Sequence, residues 1–315
     1  MEMMEIIKGI DSIEHIGGPT AVTIGVFDGV HLGHQAIIRK AIELAASIGG
    51  KSVVVTFDPH PLAIVKPGSE PALLTSTELK AEYISELGAD FLLVIPFSGD
   101  IANMEAKDFV DDVLLGKLHA RHVVIGEDFS FGKHRQGTVD FLRSYGAPKG
   151  LDIIAVEHVR ESETIISSTE VRKRLKEGDI EGVRALTGRY PKFRGQVARG
   201  FGRGGSVIGF PTANIETFHN ELTPRPGVYA GYAFTDGERY PCVIDIGWSP
   251  TFGDLHKAEI HVHILGFNKD IYGNTLDVEI QARLRDEMTF SGVEELKANI
   301  RKDIERAKDL LANRP

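Results

Sequence analysis

Short apolar runs alternate with helical segments over the first half of the chain. The runs are AVTIGVF, SVVVTF, FLLVIPF, HVVIG and DIIAV, and they fall between residues 20 and 157. After the first of them, IIRKAIELAASI spaces its apolar residues for one helical face, which carries Ile37, Ala41, Leu44, Ala45 and Ile48. Continuous apolar strands joined by crossover helices predict a Rossmann-like α/β domain, in which helices cover both faces of a parallel sheet.

The pattern changes to alternating polarity after residue 190. Strands of period two, such as GVYAGYAF, EIHVHIL and TLDVEIQARL, are divided by Gly, Pro and Asn turns, which predicts an antiparallel β-barrel or sandwich. We therefore predict two domains, residues 1–187 and 188–315, that meet within TGRYPKF. The chain closes with an amphipathic helix whose apolar side chains are spaced for burial: Leu296, Ile300, Ile304 and Leu311.

Composition excludes several classes of partner. The 315 residues carry a formal net charge of −9, and 42% of them are hydrophobic, which is typical of a globular protein. This acidic balance argues against a broad nucleic-acid or membrane-surface footprint, because both require a basic excess. The single cysteine allows no intramolecular disulfide, and the N-terminus MEMMEIIKGI lacks the basic region of a signal peptide. The sequence thus predicts a cytoplasmic protein and indicates no particular oligomeric state.

The glycine-rich stretch GVFDGVHLGHQ follows the first apolar run and precedes the first helix. It is therefore predicted to be a loop at the carboxyl end of a strand, where open α/β sheets bind ligands. Gly25, Gly29 and Gly33 permit close backbone approach, and the helix start offers amide groups to phosphate. His31 and His34 share one side of the first helical turn and would donate to an oxyanion. The alternative is a glycine-rich turn whose histidines only cap the helix.

GVFDGVHLGH resembles the G-x-F-D-x-x-H-x-G-H signature of the nucleotidyltransferase superfamily. The chain as a whole resembles the bacterial bifunctional riboflavin kinase/FAD synthetase family, because further segments follow in that family's order: TFDPHP, GEDFSFG, ISSTEVR and GFPTANI. Such an ordered set of motifs is more specific than H-x-G-H alone. The resemblance implies an N-terminal nucleotidyltransferase domain and a C-terminal β-barrel of the riboflavin kinase type.

For the N-terminal domain the resemblance implies ATP:FMN adenylyltransferase activity, in which FMN phosphate attacks the α-phosphorus of ATP and pyrophosphate leaves. The implied catalytic residues, which would meet the phosphates of ATP, are His31, His34 and Arg172. The implied ATP-binding residues are Gly25, Phe27, Asp28, Gly29, Ser167, Ser168 and Thr169. The implied flavin-binding residues are Phe57, His60, Pro61, Asp128, Phe129 and Phe131. Two alternatives stay open, because phenylalanines more often belong to a core and the SST hydroxyls also suit a helix N-cap.

For the C-terminal domain the resemblance implies riboflavin kinase activity, with Thr212 and Asn214 of GFPTANI holding the Mg²⁺ that accompanies ATP. The family's catalytic glutamate aligns with His261. Glu259 lies on the same face of the strand but two residues away, about 6.6 to 6.8 Å along the chain. Only a register shift or a bulge would bring Glu259 into the place of the family's base.

Other kinase positions also differ from the family. Ser206 stands where the family's glycine-rich loop carries arginine, with Arg199 or Arg203 as a possible compensation, and Asp245 replaces an asparagine. Loss of a cation and gain of an anion predict weaker nucleotide binding through Coulomb repulsion. We therefore expect an FAD synthetase whose kinase domain is weak, inactive or retained for structure. The alternative is a fully bifunctional enzyme in which His261 serves as the base.

Two more distant alternatives belong to other functional classes. A nucleotidyltransferase for another phosphate ester remains open because the loop recognises ATP rather than the acceptor. A flavin-binding protein without catalysis would require a damaged H-x-G-H loop, whereas this loop is complete. The small molecules expected from the sequence are ATP, Mg²⁺, FMN, FAD and riboflavin.

Overall fold

The apolar runs of the first half form a six-stranded parallel sheet in the structure, a computed structural model that describes residues 3–13, 16–198, 209–218, 220–248 and 258–312. The chain divides into two units, residues 1–168 and 169–315. The strands of the first unit are β1 Glu5–Lys8, β2 Thr20–Ile24, β3 Lys51–Asp58, β4 Phe91–Pro96, β5 Ala120–Gly126, β6 Ser130–Phe131, β7 Gly137–Thr138, β8 Asp152–Val156, β9 Arg160–Glu161 and β10 Thr164–Ile165. The main sheet has the order β1-β4-β3-β2-β5-β8 with every neighbouring pair parallel, so the predicted α/β class is confirmed.

Helices connect these strands and cover both faces of the sheet. They are α1 Leu32–Ser47, α2 Pro61–Val65, α3 Thr77–Glu86, α4 Gly99–Asn103, α5 Ala106–Asp108 and α6 Val139–Phe141. The π-helical segments Phe109–Lys117 and Leu142–Gly146 continue α5 and α6, and short 3-10 turns cover Ile10–Ser12, Lys133–Arg135 and Ala147–Lys149. Alternate residues of β3 enter different clusters, with Val53 and Val55 in one core and Val54 with Ile38 in the other. The sheet therefore has two buried faces.

Two features of the first unit differ from the sequence pattern. The edge strand β1 was not expected from the sequence, because four residues with only Ile7 buried give almost no periodic signal. In α1 the fully buried side chains include Ile38, Ala41 and Ala45, whereas Ile37 is only half-buried. Isoleucine occupies both positions 37 and 38, so apolar spacing alone does not fix the rotation of this helix.

The second unit contains the antiparallel strands that the alternating pattern predicts. Its elements are α7 Ser168–Glu177, α8 Ile180–Thr187, β11 Lys192–Ala198, β12 Ala213–Thr217, β13 Gly227–Thr235, β14 Glu238–Trp248, β15 Ala258–Ile264, β16 Thr275–Arg285 and α9 Val293–Ala312. The strands close into a barrel in the order β11-β12-β15-β14-β13-β16, since β16 pairs with both β11 and β13. This closure decides between the predicted barrel and sandwich. The domain boundary predicted after residue 187 stays a prediction; it coincides with the end of α8.

The closing helix α9 packs its apolar stripe against the barrel, as its sequence predicts. Ala307 and Leu311 are buried, together with the unexpected Asp303. The Asp303 carboxylate receives three hydrogen bonds from the Arg285 guanidinium on β16, at 2.8 to 3.1 Å. Among the described residues, no helix is both long enough and apolar enough to cross a membrane.

Candidate functional sites

The H-x-G-H loop lies at the carboxyl end of β2, as its sequence position predicts. Strand β2 has β3 on one side and β5 on the other, so the chain connections diverge at this point and leave a crevice. Helix α1 begins directly after the loop, and its first turn contains no acidic residue. The amides and the positive dipole end of α1 therefore favour an anion at this loop.

Asp28 fastens the loop to other segments of the first unit. Its side chain is 3% exposed and accepts hydrogen bonds from Leu74 N at 2.9 Å and Thr75 N at 3.2 Å. Thr75 Oγ1 accepts from Gly29 N at 3.1 Å, and Ser168 Oγ donates to the Asp28 carbonyl oxygen at 2.9 Å. These contacts fix the shape of the loop before a ligand binds, which is the condition for effective electrostatic stabilisation.

The loop backbone is held in an uncommon conformation. Phe27, Gly29 and Val30 have φ values of 50°, 80° and 38°. Glycine adopts such values without cost, but a β-branched valine does so only when the surrounding structure imposes it. A Cβ on Gly25 would lie 2.9 Å from the Phe27 ring, so this position requires glycine. Strained residues of this kind are typical of functional loops.

His31 and His34 stack at the start of α1, with ring centroids 3.6 Å apart. His31 Nδ1 accepts a hydrogen bond from His34 N at 3.3 Å, so His31 caps the helix. In the neutral ring this bond places the proton on Nε2, where it is a donor. The Phe27 ring packs against His34 at an interplanar angle of 84° and a centroid distance of 5.2 Å. The capping role is therefore present, and it is compatible with phosphate binding because the two roles use opposite ring nitrogens.

The predicted ISST motif reaches the H-x-G-H loop within the first unit. A Cβ on Gly33 would lie 3.5 Å from the carbonyl oxygen of Ile166, so the two segments are in close contact there. Ser168 adds its hydrogen bond to the loop backbone, and the preceding Ser167 is half-buried. The structure thus brings together two motifs that are more than a hundred residues apart in the chain.

Thr169 and Arg172 follow on α7, within the second unit. Thr169 is exposed and Arg172 is half-buried. Their contacts with ATP phosphates stay a prediction.

The TFDPHP residues predicted for the flavin lie at the end of β3 or directly after it, and they have structural partners. Phe57 packs against the sheet core and meets the Phe97 ring edge-on, with centroids 5.4 Å apart. His60 Nδ1 accepts from Leu62 N at 3.1 Å and caps α2, whose first residue is Pro61. All three predicted residues lie at the carboxyl end of β3, beside the H-x-G-H loop in strand order.

The GEDFSFG residues follow β5, on the other side of β2. Phe131 is buried and lies 5.4 Å from the Phe109 ring, while Phe129 stacks on Phe131 at 5.7 Å. Phe131 is therefore a core residue, which was the alternative to its predicted contact with flavin. Asp128 is exposed, and its carboxylate lies 4.0 Å from Nε2 of His158. Contacts of these residues with flavin stay a prediction.

In the second unit, a cavity of about 270 Å³ is lined by barrel residues and by α9. Strand β15 alternates as predicted, with Ile260 and Val262 buried and with Glu259, His261 and His263 half-buried on the other face. Its described pairing with β12 and β14 is regular and contains no bulge, whereas a register shift relative to the family stays untested. The polar side chains that line the cavity include Thr212, Asp245, His261, His263, Arg285 and Asp303.

His261 is held between two side chains. It pairs with Asn214 across β12 and β15, and its Nδ1 contacts the Asn214 amide oxygen. On the opposite side of the ring, Nε2 lies 3.2 Å from the Glu259 carboxylate. Both ring nitrogens therefore have partners. Glu259 is thus the partner of His261, the residue predicted to stand at the family's glutamate position, and that alignment stays a prediction.

The donor set predicted for Mg²⁺ fits that ion poorly. Thr212 lines this cavity and a second one of about 360 Å³, and a hydroxyl and an amide oxygen are suitable hard ligands. However, the amide oxygen of Asn214 is already in contact with an imidazole nitrogen of His261. Among the described residues, no group of three or more His, Cys, Asp or Glu side chains is arranged to hold a metal ion.

Asp245 faces His261 from the neighbouring strand β14. The residue is exposed to the cavity, yet nearby protein atoms desolvate its carboxyl, and this desolvation raises the pKa of the Asp245 carboxyl, with Glu287 adding to the rise. His261 and Arg285 act in the opposite direction. With Glu287 and Asp303, Asp245 makes an acidic wall. Arg285 offsets the charge of Asp303, so the carboxylates of Asp245 and Glu287 are the ones unfavourable for a bound phosphate.

Several residues at the first site were not singled out from the sequence. Leu74 and Thr75 hold Asp28, while Thr56 and the buried Lys80 lie beneath the loop. Thr56 opens the TFDPHP motif but was not singled out within it, and the sequence signal of Leu74 and Thr75 is a Ser/Thr-rich stretch before a helix. Lys80 carries no signal, because it meets the loop through the tertiary fold. The kinase-loop positions discussed above lie outside the described residues: Arg199, Arg203 and Ser206.

Comparison with known proteins matches each of the two parts of the chain to a protein family. The FAD synthetase family matches residues 14–170, and the riboflavin kinase family matches residues 187–311. A bifunctional riboflavin kinase/FMN adenylyltransferase from Listeria monocytogenes is 38% identical over 90% of this chain and 89% of its own length, and one from Bacillus subtilis is 37% identical over 91% of each. A crystal structure named macrolide-efflux protein from Streptococcus pneumoniae superposes with a TM-score of 0.85 at 29% identity, covering 98% of this chain and 99% of that one.

Proposed function

The chain belongs to the family of bifunctional riboflavin kinase/FMN adenylyltransferases, and we propose that its first unit is the stronger of its two catalytic units. In this proposal the first unit transfers AMP from ATP to FMN. An oxygen of the FMN phosphate attacks the α-phosphorus of ATP, the bond from that phosphorus to the β-phosphate oxygen breaks, and FAD and pyrophosphate result. No covalent enzyme intermediate is required.

The stacked histidine pair on a fastened loop is the observation that carries this proposal. His31 presents its Nε2 donor and the start of α1 presents amides where the phosphates of ATP would lie. Negative charge accumulates on those phosphates as pyrophosphate leaves, and fixed donors stabilise it without reorganising. Arg172 and the hydroxyls of Ser167 and Thr169 would complete the phosphate site.

Pyrophosphate release tests the acceptor. The purified protein is incubated with ATP-Mg and either FMN or pantetheine phosphate, and pyrophosphate and FAD are followed together. We expect pyrophosphate and FAD in equal amounts with FMN, and no release with pantetheine phosphate. Release only with pantetheine phosphate would support a nucleotidyltransferase for another phosphate ester. No release with either acceptor would support a flavin-binding protein without catalysis.

We further propose that the riboflavin kinase unit is weak. The supporting observation is that His261, which the sequence motif aligns with the family's glutamate, has one ring nitrogen on Asn214 and the other on Glu259. A ring held in this way is poorly placed to accept the proton of the riboflavin hydroxyl, and it competes for an oxygen that Mg²⁺ would use. The fully bifunctional alternative requires His261 to leave both partners and act as the base.

Replacement of His261 tests the kinase proposal. FMN formation from riboflavin and ATP-Mg is measured for the wild type, for His261→Glu, and for His261→Gln as the control without a carboxylate. We expect His261→Glu to raise the rate at least ~10-fold, because a positioned general base contributes about 10² to 10⁴. His261→Gln should not raise it. A wild-type rate that matches FAD formation, together with a loss in His261→Glu, would instead establish His261 as the base.

A further inference from the structure

Lys80 is a buried lysine beneath the candidate ATP site. It lies on α3 with 5% of its surface exposed, and among the described residues it is the most deeply buried lysine. Lysine is almost never fully buried unless its charge has a partner. Neither the sequence motifs nor the proposed chemistry assigns this side chain a role.

A chain of two hydrogen bonds connects Lys80 to the H-x-G-H loop. Its Nζ donates to Thr56 Oγ1 at 3.3 Å, and Thr56 Oγ1 donates its own proton to the Val26 carbonyl oxygen at 3.0 Å. Val26 belongs to the loop after β2, whereas Thr56 opens the TFDPHP motif near the end of β3. The ammonium group therefore lies where the predicted ATP loop and the predicted flavin loop meet.

Two carboxylates, one from each loop, act on the Lys80 charge. Asp28 belongs to the loop after β2 and Asp58 ends β3; both oppose the effect of burial, which lowers the pKa of the Lys80 ammonium. The same helix start contacts both loops directly, since Asp28 accepts from Thr75 N at 3.2 Å and Asp58 accepts from Thr77 Oγ1 at 2.9 Å. The carboxylates of Asp28 and Asp58 thus both favour the charged form of Lys80.

We propose that Lys80 is a positioning residue for adenylyl transfer, which holds the ATP loop and the flavin loop together through Thr56 and offsets the charge of Asp28 beside the ATP phosphates. This inference rests on the proposed adenylyltransferase function. A misplacement of about 1 Å in a reacting group costs on the order of 100-fold in rate. Loss of Lys80 should therefore damage catalysis even where the fold survives.

The main test compares Lys80→Met with the wild type and with Lys51→Met. Methionine removes the charge but retains much of the apolar stem. Lys51 is a matched control. It is the first residue of the same strand β3, at the end opposite to Thr56, and its ammonium group pairs with the Asp90 carboxylate at 2.9 Å. We expect Lys80→Met to lower kcat/KM for ATP by at least ~30-fold. Because removal of one charge from a buried set can lower stability, the melting temperature is measured as well and rates are compared well below it. Lys51→Met should stay within ~2-fold.

Thr56 variants separate the hydrogen-bond chain from other effects. Thr56→Val breaks the chain and should lower kcat/KM for ATP by ~5-fold or more, whereas Thr56→Ser keeps the hydroxyl and should recover most of the activity. If Lys80 acts through Thr56, the double variant Lys80→Met/Thr56→Val should be no slower than Lys80→Met alone. The comparison of Thr56→Val with Thr56→Ser decides the matter even if Lys80→Met does not fold.

Three results would overturn the proposal: a kcat/KM for Lys80→Met within ~3-fold of the wild type, equal activity of Thr56→Val and Thr56→Ser, or independent losses that multiply in the double variant. The dissociation constant of ATP-Mg, measured by calorimetry, keeps this test separate from the proposed function. If the wild type forms no FAD, the proposed function fails, and weaker ATP binding by Lys80→Met alone would still support a role of Lys80 at the ATP loop.

Discussion

The H-x-G-H loop of the first unit and the histidine-lined cavity of the second unit satisfy their polar groups in opposite ways. In the loop, Asp28 is held by backbone amides and by Ser168, and His31 caps α1 by accepting a hydrogen bond from the backbone N of His34. In the cavity, His261 and Asn214, the groups expected to act, are satisfied by each other. A catalytic site needs supporting residues that differ from the reacting ones, because support then costs no reactivity.

The largest effect is expected on FAD formation when His31 of the stacked histidine pair is replaced. His31→Ala should lower kcat/KM for FAD formation by about 10² to 10³, since it removes a fixed donor to the developing negative charge. His122→Ala is the control, because His122 lies on β5 of the same unit and pairs with Asp152 at 3.1 Å. Steady-state rates with ATP and FMN check the prediction. A loss below ~5-fold for His31→Ala would place phosphate stabilisation elsewhere.

The next effect concerns the stability of the barrel wall. Asp303→Asn should lower the free energy of unfolding by about 2 kcal/mol, because it leaves the Arg285 guanidinium without its carboxylate in a mostly buried position. Denaturation with urea measures the loss. Glu305→Gln on the same helix breaks only the exposed pair with Lys308 and should change stability by less than ~0.5 kcal/mol. An equal loss of stability in Asp303→Asn and Glu305→Gln would contradict the burial of the Arg285–Asp303 pair.

A pH-dependent effect is expected from Glu221. Burial raises the pKa of this carboxyl to about 8, and a contact with Thr217 offsets only part of the rise. The folded state therefore binds a proton that the unfolded state releases above its ordinary pKa of 4.5, so stability falls as pH rises from about 4.5 to 8. Glu221→Gln should stabilise the protein by about 1 to 2 kcal/mol at pH 8 and by little at pH 5. Melting curves at both values check this, and a gain independent of pH would exclude the titration.

The smallest effect refines the kinase side of the comparison. Asp245→Asn should raise FMN formation by only ~3-fold when it is added to His261→Glu, because it removes one anion from the acidic wall without adding a base. Alone it should change the rate by less than ~2-fold, since the missing base still limits the reaction. Rates of the single and double variants test this order. An effect of Asp245→Asn larger than that of His261→Glu would identify charge, rather than the base, as the main defect.

The sequence predicts the fold where hydrophobic periodicity is long and unambiguous. The five apolar runs became the parallel strands β2, β3, β4, β5 and β8, and the period-two segments became barrel strands. Strand β1 was not predicted because it is short and mostly exposed. The buried face of α1 was predicted with the wrong isoleucine, because Ile37 and Ile38 both fit an apolar stripe. Closure of the barrel is a long-range property that β16 decides by pairing with both β11 and β13.

The candidate sites were predicted only where their residues form local motifs. His31, His34 and Ser168 belong to motifs, and the structure brings these segments together within the first unit. Thr75 and Lys80 carry no motif, because their contacts with the loop arise from the return of the chain after β3. The spacing of Glu259 and His261 along the strand was predicted. Their ion pair was not, since it depends on the conformations of both side chains.

The most direct test of the proposed difference between the two units is the ratio of their catalytic efficiencies in one preparation of the wild-type protein. The value of kcat/KM for FAD formation from FMN is divided by that for FMN formation from riboflavin, both with saturating ATP-Mg. We predict a ratio of at least ~100, because the first unit keeps its phosphate donors while the second lacks an available base. A ratio of about one or below would contradict the account and would show that the second unit is a fully active kinase.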